Sequence, residues 1–244
     1  MVFLQAGRGE GPPFGDGGQR ALNVPPAVFA LIAALAAAHV ARILLPAAIG
    51  GTLLQAFAFV PANMLHPPAG WLALASWSSP AAHLFIHADA STLAMECLLL
   101  LIFGTSAARR FGGLGFLVLF LAGGIGGAAL YLATAWNSHA GIVGATGGVS
   151  AVTLAAIRAT WLGRSPPATL PPPLAPILSA QVLVFAVFWI GTNFLLGNMM
   201  LLPAGPDAVQ IWQPSVAGAV LGIVVAGLLD RFVPKIDLTA RQGS

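Results

Sequence analysis

Few side chains in this sequence can do chemistry, and most of them fall into three short groups. His83 and His87 are followed by Thr92 and Glu96, four apart and so on one face of a helix. Gly144-Ala145-Thr146-Gly147 forms a second group, and Gln213-Pro214-Ser215, with Gly218 and Gly222 behind it, a third. Brought together, these hydroxyls, imidazoles and one carboxyl would make a small polar site whose members can hydrogen-bond one another. It does not suit a metal, because only Asp89 and Glu96 stand near the two histidines. No metal and no cofactor is expected. His66 and His139 read as solvated loop residues, and Cys97, the single cysteine, as an inert buried thiol.

The elements that must position these groups follow from composition. Of 244 residues 58% are apolar and 7% charged, with a mean hydropathy of +0.89. Soluble domains carry about a quarter charged residues, so a soluble or disordered chain is excluded. The basic residues fall in ones and twos without interleaved aromatics, which excludes nucleic acid as a partner. Six apolar runs are expected to cross a bilayer as helices: Ala27 to Leu45, about His87 to Ser106, Leu114 to Ala135, Gly144 to Leu162, Ile177 to Gly197 and about Gln213 to Phe232. The three polar groups lie in the outer parts of spans two, four and six and are expected to enclose one small polar cavity. Gly123-Gly124-Ile125-Gly126-Gly127 and the Gly218/Gly222 pair read as close helix packing, with no part in a reaction.

Lys and Arg orient the bundle. Arg8, Arg20, Arg109, Arg110, Arg158, Arg164, Arg231, Lys235 and Arg241 all fall on one side, expected to be cytoplasmic with both termini. Arg42 is the exception, near the outer end of span one, where it would snorkel or pair with Asp89. Residues 1–26 form a Gly/Pro-rich cytoplasmic tail that alone would be disordered, 27–232 the six-span membrane domain and 233–244 a cytoplasmic tail. Span one reads as a membrane helix, not a cleaved signal peptide. Pro46 to Ala82 is a large apolar loop expected in the outer interface, partly re-entrant and anchored by Trp71 and Trp77.

In this arrangement the chain resembles the rhomboid family of intramembrane serine proteases. The resemblance rests on the six spans, the large first loop, the His-rich start of span two, Ile142-Val143-Gly144-Ala145-Thr146-Gly147 at span four, the Gly218/Gly222 spacing in span six, and Phe103-Gly104-Thr105-Ser106-Ala107-Ala108-Arg109-Arg110-Phe111-Gly112. It implies an all-α, six-helix membrane bundle in which the nucleophile falls on Thr146, the base on Ser215 and the oxyanion-hole side chains on Thr92 and Glu96. His87 and, beside it, His83 keep the family's identity, and Gly144 and Gly147 frame the nucleophile turn.

The departures change the chemistry. A neutral hydroxyl at 215 has no useful proton affinity, and no histidine follows His139 in the chain. Glu96, if ionised, would repel an oxyanion. The expected function is therefore that of a pseudoprotease of the bacterial inner membrane that binds or positions transmembrane helices of another protein, as an adaptor or accessory subunit of a larger complex. Glu96 is expected to hydrogen-bond Thr92, Thr146 or Ser215 in a relict cavity. The alternative is an active intramembrane endopeptidase using Thr146, with His83, His87 or Glu96 as a substitute base. Transport through Glu96 ranks last, since the two halves show no repeat and no matched broken helices.

Overall fold

The computed structural model describes residues 24–160, 169–200 and 212–237. The expectations for the N-terminal tail up to residue 23, for 161–168, for 201–211 and for the end from 238 lie outside them. Proline and glycine mark the helix boundaries. Helix α1 (Pro26–Leu44) opens with a proline in its first turn and stops ahead of Pro46. The first loop, expected as an interfacial segment anchored by Trp71 and Trp77, is itself helical: α2 (Ala47–Phe57), α3 (Pro61–Leu65) and α4 (Trp71–Ala82), the last running into a 3-10 turn at His83–Phe85. Its uncharged residues satisfy their own amides this way, and Trp71 and Trp77 are exposed as interfacial anchors would be.

Helix α5 (Ala90–Leu99) is capped by Asp89, which accepts from the Thr92 amide at 2.8 Å and the Thr92 hydroxyl at 2.8 Å. It passes through a π-turn at Leu100–Gly104 into α6 (Thr105–Thr134). Gly112 divides this long run with φ 76° and ψ 169°, a left-handed backbone that glycine adopts at little cost. The central helix α7 (Thr146–Ala159) follows, then α8 (Ala180–Met200) and α9 (Gln213–Leu229), which ends in a 3-10 turn at Asp230–Phe232. Two two-residue strands, β1 (Thr169–Leu170) and β2 (Ile236–Asp237), pair antiparallel.

Three described stretches are long and apolar enough to cross a membrane: Pro26–Leu44, Ala90–Thr134 and Gln213–Phe232. The second is the expected spans two and three in one, bent at Gly112. Helix α7 is shorter than the expected fourth span. Its 14 residues reach about 21 Å at about 1.5 Å each, short of about 30 Å of hydrocarbon.

What α7 lacks in length it has in burial: every residue from Gly147 to Ala156 is buried, enclosed by α6 and α9. Glycines allow this. A Cβ on Gly147 would stand 2.7 Å from the Gly123 carbonyl oxygen, and one on Gly222 2.7 Å from Ala151 Cα. Gly218 lies against the Gly147 carbonyl in the same way, so backbone meets backbone on both sides of α7. Side chains then close the ends of α7. Trp189 Nε1 donates to Ser150 Oγ at 2.9 Å, and Gln181 Nε2 donates to the carbonyls of Ile157 (2.8 Å) and Thr160 (2.9 Å). At the basic end Arg110 bonds Asp230 and donates to the Pro172 carbonyl at 2.7 Å, while Lys235 reaches the same aspartate at 2.9 Å.

Two outcomes test this packing and capping. Gly222→Leu forces a side chain into the α7 backbone and should lower stability by about 1–3 kcal/mol in detergent unfolding. Gly191→Ala, with nothing within 4 Å of the added carbon, should leave stability unchanged or slightly raised. At Asp89, the Ser91 hydroxyl and the Thr92 amide hold the exposed carboxyl down at about 2 against an ordinary 3.8. Its folded value is depressed, so the cap contributes fully above pH 3.8 and is lost as pH falls towards 2. Asp89→Ala should cost about 1 kcal/mol at neutral pH, and the difference from the parent should vanish in unfolding measured near pH 2.

Candidate functional site

The site is assembled at the N-terminus of α7. The segment before it is tied down twice: Phe59 and Ile142 exchange backbone hydrogen bonds at 2.9 Å, and the Gly144 amide donates to the carbonyls of Ile86 (2.8 Å) and His83 (3.0 Å). Gly144 has φ 98°, and a Cβ there would lie 3.4 Å from Glu96 Oε1. The position thus requires glycine for its backbone, and the chain can press against the carboxylate.

Glu96, 5% exposed, is the centre of the arrangement. Its Oε2 accepts from His87 Nε2 at 2.7 Å and from the Ala145 amide at 2.8 Å; its Oε1 accepts from the Thr146 hydroxyl at 2.8 Å. An ionised carboxylate is an acceptor only, and three donors on two oxygens are the partners that form satisfies. The first turn of α7 adds the positive end of its helix dipole. His87 is fully enclosed, its Nδ1 unpartnered, so its ring is fixed by Glu96 from one side and by the chain on the other. The chain there is held by Arg42, whose Nη2 donates to the carbonyls of His87 (2.9 Å) and Ala88 (3.1 Å).

Of the residues expected at the site, Glu96, His87, Thr146 and Gly144 converge. His83 borders the same cavity, a space of about 90 Å³ lined also by Ile142, Val143, Gly144, Thr146 and Pro214. Its Nδ1 pairs with the Ser79 carbonyl at 2.8 Å, and burial pushes the imidazole below its ordinary range, so the ring is neutral. Gly147 serves packing against Gly123, not the cavity. Thr92 points its hydroxyl at Asp89 in the helix cap, so it joins neither Glu96 nor the cavity. Ser215 is buried, but its hydroxyl donates to the Trp212 carbonyl at 2.9 Å, one turn back in its own helix start. Of the three expected partners of Glu96, the structure pairs it with Thr146. Arg42 bonds carbonyls where Asp89 was the expected partner.

Sequence reasoning missed three contributors. The Ala145 amide and the Ser79 carbonyl are backbone groups that no side-chain pattern marks. The Asp89–Thr92 spacing was legible as a cap, since an aspartate three residues before a threonine at a helix start accepts its amide. No group of three or more His, Cys, Asp or Glu residues among those described is placed to hold a metal.

No curated protein matches the chain. A family model, Rhomboid domain, matches residues 74–232, from within α4 to the turn after α9, and so covers Glu96, His87 and Thr146. With well over half its length matched, this chain belongs to the rhomboid family.

Proposed function

We propose that the chain is a rhomboid-fold pseudoprotease that binds or positions the transmembrane helix of another protein, as an adaptor or accessory subunit of a larger complex. In this reading it crosses the bacterial inner membrane six times with both termini cytoplasmic. The spans are α1, the two arms of the run bent at Gly112, α7, α8 and α9. The observation that carries the reading is the bond from the Thr146 hydroxyl to Glu96. A hydroxyl in acyl transfer must hand its proton to a base as it attacks, and its neighbouring amides must wait for the oxyanion. Here a resident carboxylate already occupies the hydroxyl, the Ala145 amide and His87 together. Ser215, at the position of the family's base, is a hydroxyl turned onto backbone. The cavity is left able to receive a small side chain or a helix end without reacting with it.

A second reading has its own observation. His83 is neutral and lines the same cavity as Thr146, so its free ring nitrogen offers a base from the first loop. The two readings separate in liposomes that hold the protein with a single-span substrate whose helix is destabilised. The pseudoprotease predicts no cleavage, no fluorophosphonate label on Thr146, and a photo-cross-link from a benzophenone placed at Val143 to the substrate helix. Cleavage abolished by both Thr146→Ala and His83→Ala would overturn it and install the second reading.

Glu96 is testable alone. Glu96→Gln turns an amide NH₂ toward one of three donors, and a buried donor left without an acceptor costs about 1–3 kcal/mol. Thermal unfolding in detergent should show a loss of that size. An unchanged midpoint would mean that the native carboxyl is protonated and already donates.

A further inference from the structure

The walls of the cavity beside Thr146 decide what it can hold. Ile142, Val143 and Pro214 line it with hydrocarbon, and Gly144 adds no side chain. Among the described residues that line it, two have polar side chains, His83 and Thr146. His83 is 2% exposed, and its Nδ1 lies 2.8 Å from the Ser79 carbonyl. A carbonyl accepts and never donates, so the ring hydrogen sits on Nδ1 and Nε2 carries a lone pair. That nitrogen has no hydrogen-bond partner among the described residues. Thr146 is in a similar position. Its hydroxyl hydrogen goes to Glu96 Oε1 at 2.8 Å, which leaves the oxygen's lone pairs for any third group.

Both side chains therefore offer acceptors, and neither offers a hydrogen. Water serves such atoms until an occupant displaces it, and the loss is felt when the newcomer cannot repeat its bonds. A space of about 90 Å³ suits a short side chain. An aliphatic one would fill it and leave Nε2 bare, which is costly for a buried acceptor. A hydroxyl or a carboxamide of the same shape fills it equally and donates to Nε2. Lysine and arginine also donate, but a charge within a transmembrane segment is far costlier there than a neutral hydroxyl.

We propose that the cavity selects, on the helix it holds, a Ser, Thr or Asn side chain whose hydrogen is donated to His83 Nε2. This rests on the helix-binding reading above and names the chemistry by which a helix is recognised there. The test uses the full chain in liposomes with single-span peptides whose outer turns are destabilised. Thr, Val, Asn or Leu is placed in turn at each position of those outer turns, with a photo-reactive diazirine residue beside it. At one position the Thr peptide should give about three to ten times the cross-linked adduct of the Val peptide, and Asn the same over Leu, the worth of one neutral hydrogen bond. Thr and Val share a shape, so size cannot produce that difference. His83→Phe should bring the Thr yield down to the Val level. Val143→Phe, which fills the cavity from a half-buried position, replaces it if that variant does not fold. Equal yields from Thr and Val at every position would overturn the proposal and leave the helix-binding reading intact. A Thr preference that survives these variants would also overturn it, since the hydroxyl would then be read elsewhere. No adduct from any peptide would overturn both.

Discussion

The arrangement at the cavity depends on one buried carboxylate. Glu96 lies in the helix that follows the first loop, yet its oxygens are bound by the start of α7 and by His87. A charge removed from water in a membrane protein is costly unless donors surround it. Satisfying it fixes three elements relative to one another: α5, the 83–89 turn and α7. The Thr146 hydroxyl is then committed by the same requirement that keeps the carboxylate stable. One set of hydrogen bonds thus both holds the start of α7 and engages the Thr146 hydroxyl.

That set can hold its geometry because α7 cannot shift. Its backbone is in contact with α6 at Gly123 and with α9 at Gly218 and Gly222, where no side chain intervenes to be repacked. Helices that meet through backbone are bistable or fixed, not elastic, because a small slide brings carbonyl against Cα. The far end of α7 is tied by Arg158, whose Nε donates to the Ala175 carbonyl at 3.0 Å and whose Nη1 reaches the Ile223 carbonyl at 2.5 Å. By contrast α8 exposes Val184, Val187 and Phe188 and touches the core chiefly through Val182, Phe185 and Trp189. The rigid part of the molecule is therefore the α6–α7–α9 layer that carries Thr146 and Ser215.

Hydropathy made the helical membrane character legible, and glycine spacing made the close packing legible, because both are properties of local sequence. Two of the three polar groups meet, through His87, Glu96, Thr146 and Gly144, and the third brings Pro214 to the cavity wall. Where Thr92 and Ser215 go was not legible, because it turns on competition. Thr92 lies within reach of an aspartate three residues back, and Ser215 within reach of a carbonyl in its own first turn; local partners cost less ordering than distant ones. The helices of the first loop were left unspecified by the sequence because they are short, 5 to 12 residues, and are separated near Pro61 and Gly70. The length of α7 was misread because burial by protein, not by lipid, makes its sequence apolar.

In the proposed reading, the residues at 146, 215 and 96 are not equivalent in what they remove from the family's catalytic pattern. Threonine for serine at 146 keeps a hydroxyl and adds a methyl. Serine for histidine at 215 removes the proton acceptor but leaves a cavity of ordinary polarity. Glutamate at 96 does more than either in that reading, for its oxygens hold the Ala145 amide and the Thr146 hydroxyl, groups that acyl transfer needs free. In the proposed reading, restoring a serine at 146 and a histidine at 215 would leave Glu96 still bonded to the Ala145 amide and to His87. The carboxylate that organises the start of α7 is thus, in the proposed reading, also the group that sets this chain apart from its family's catalytic pattern.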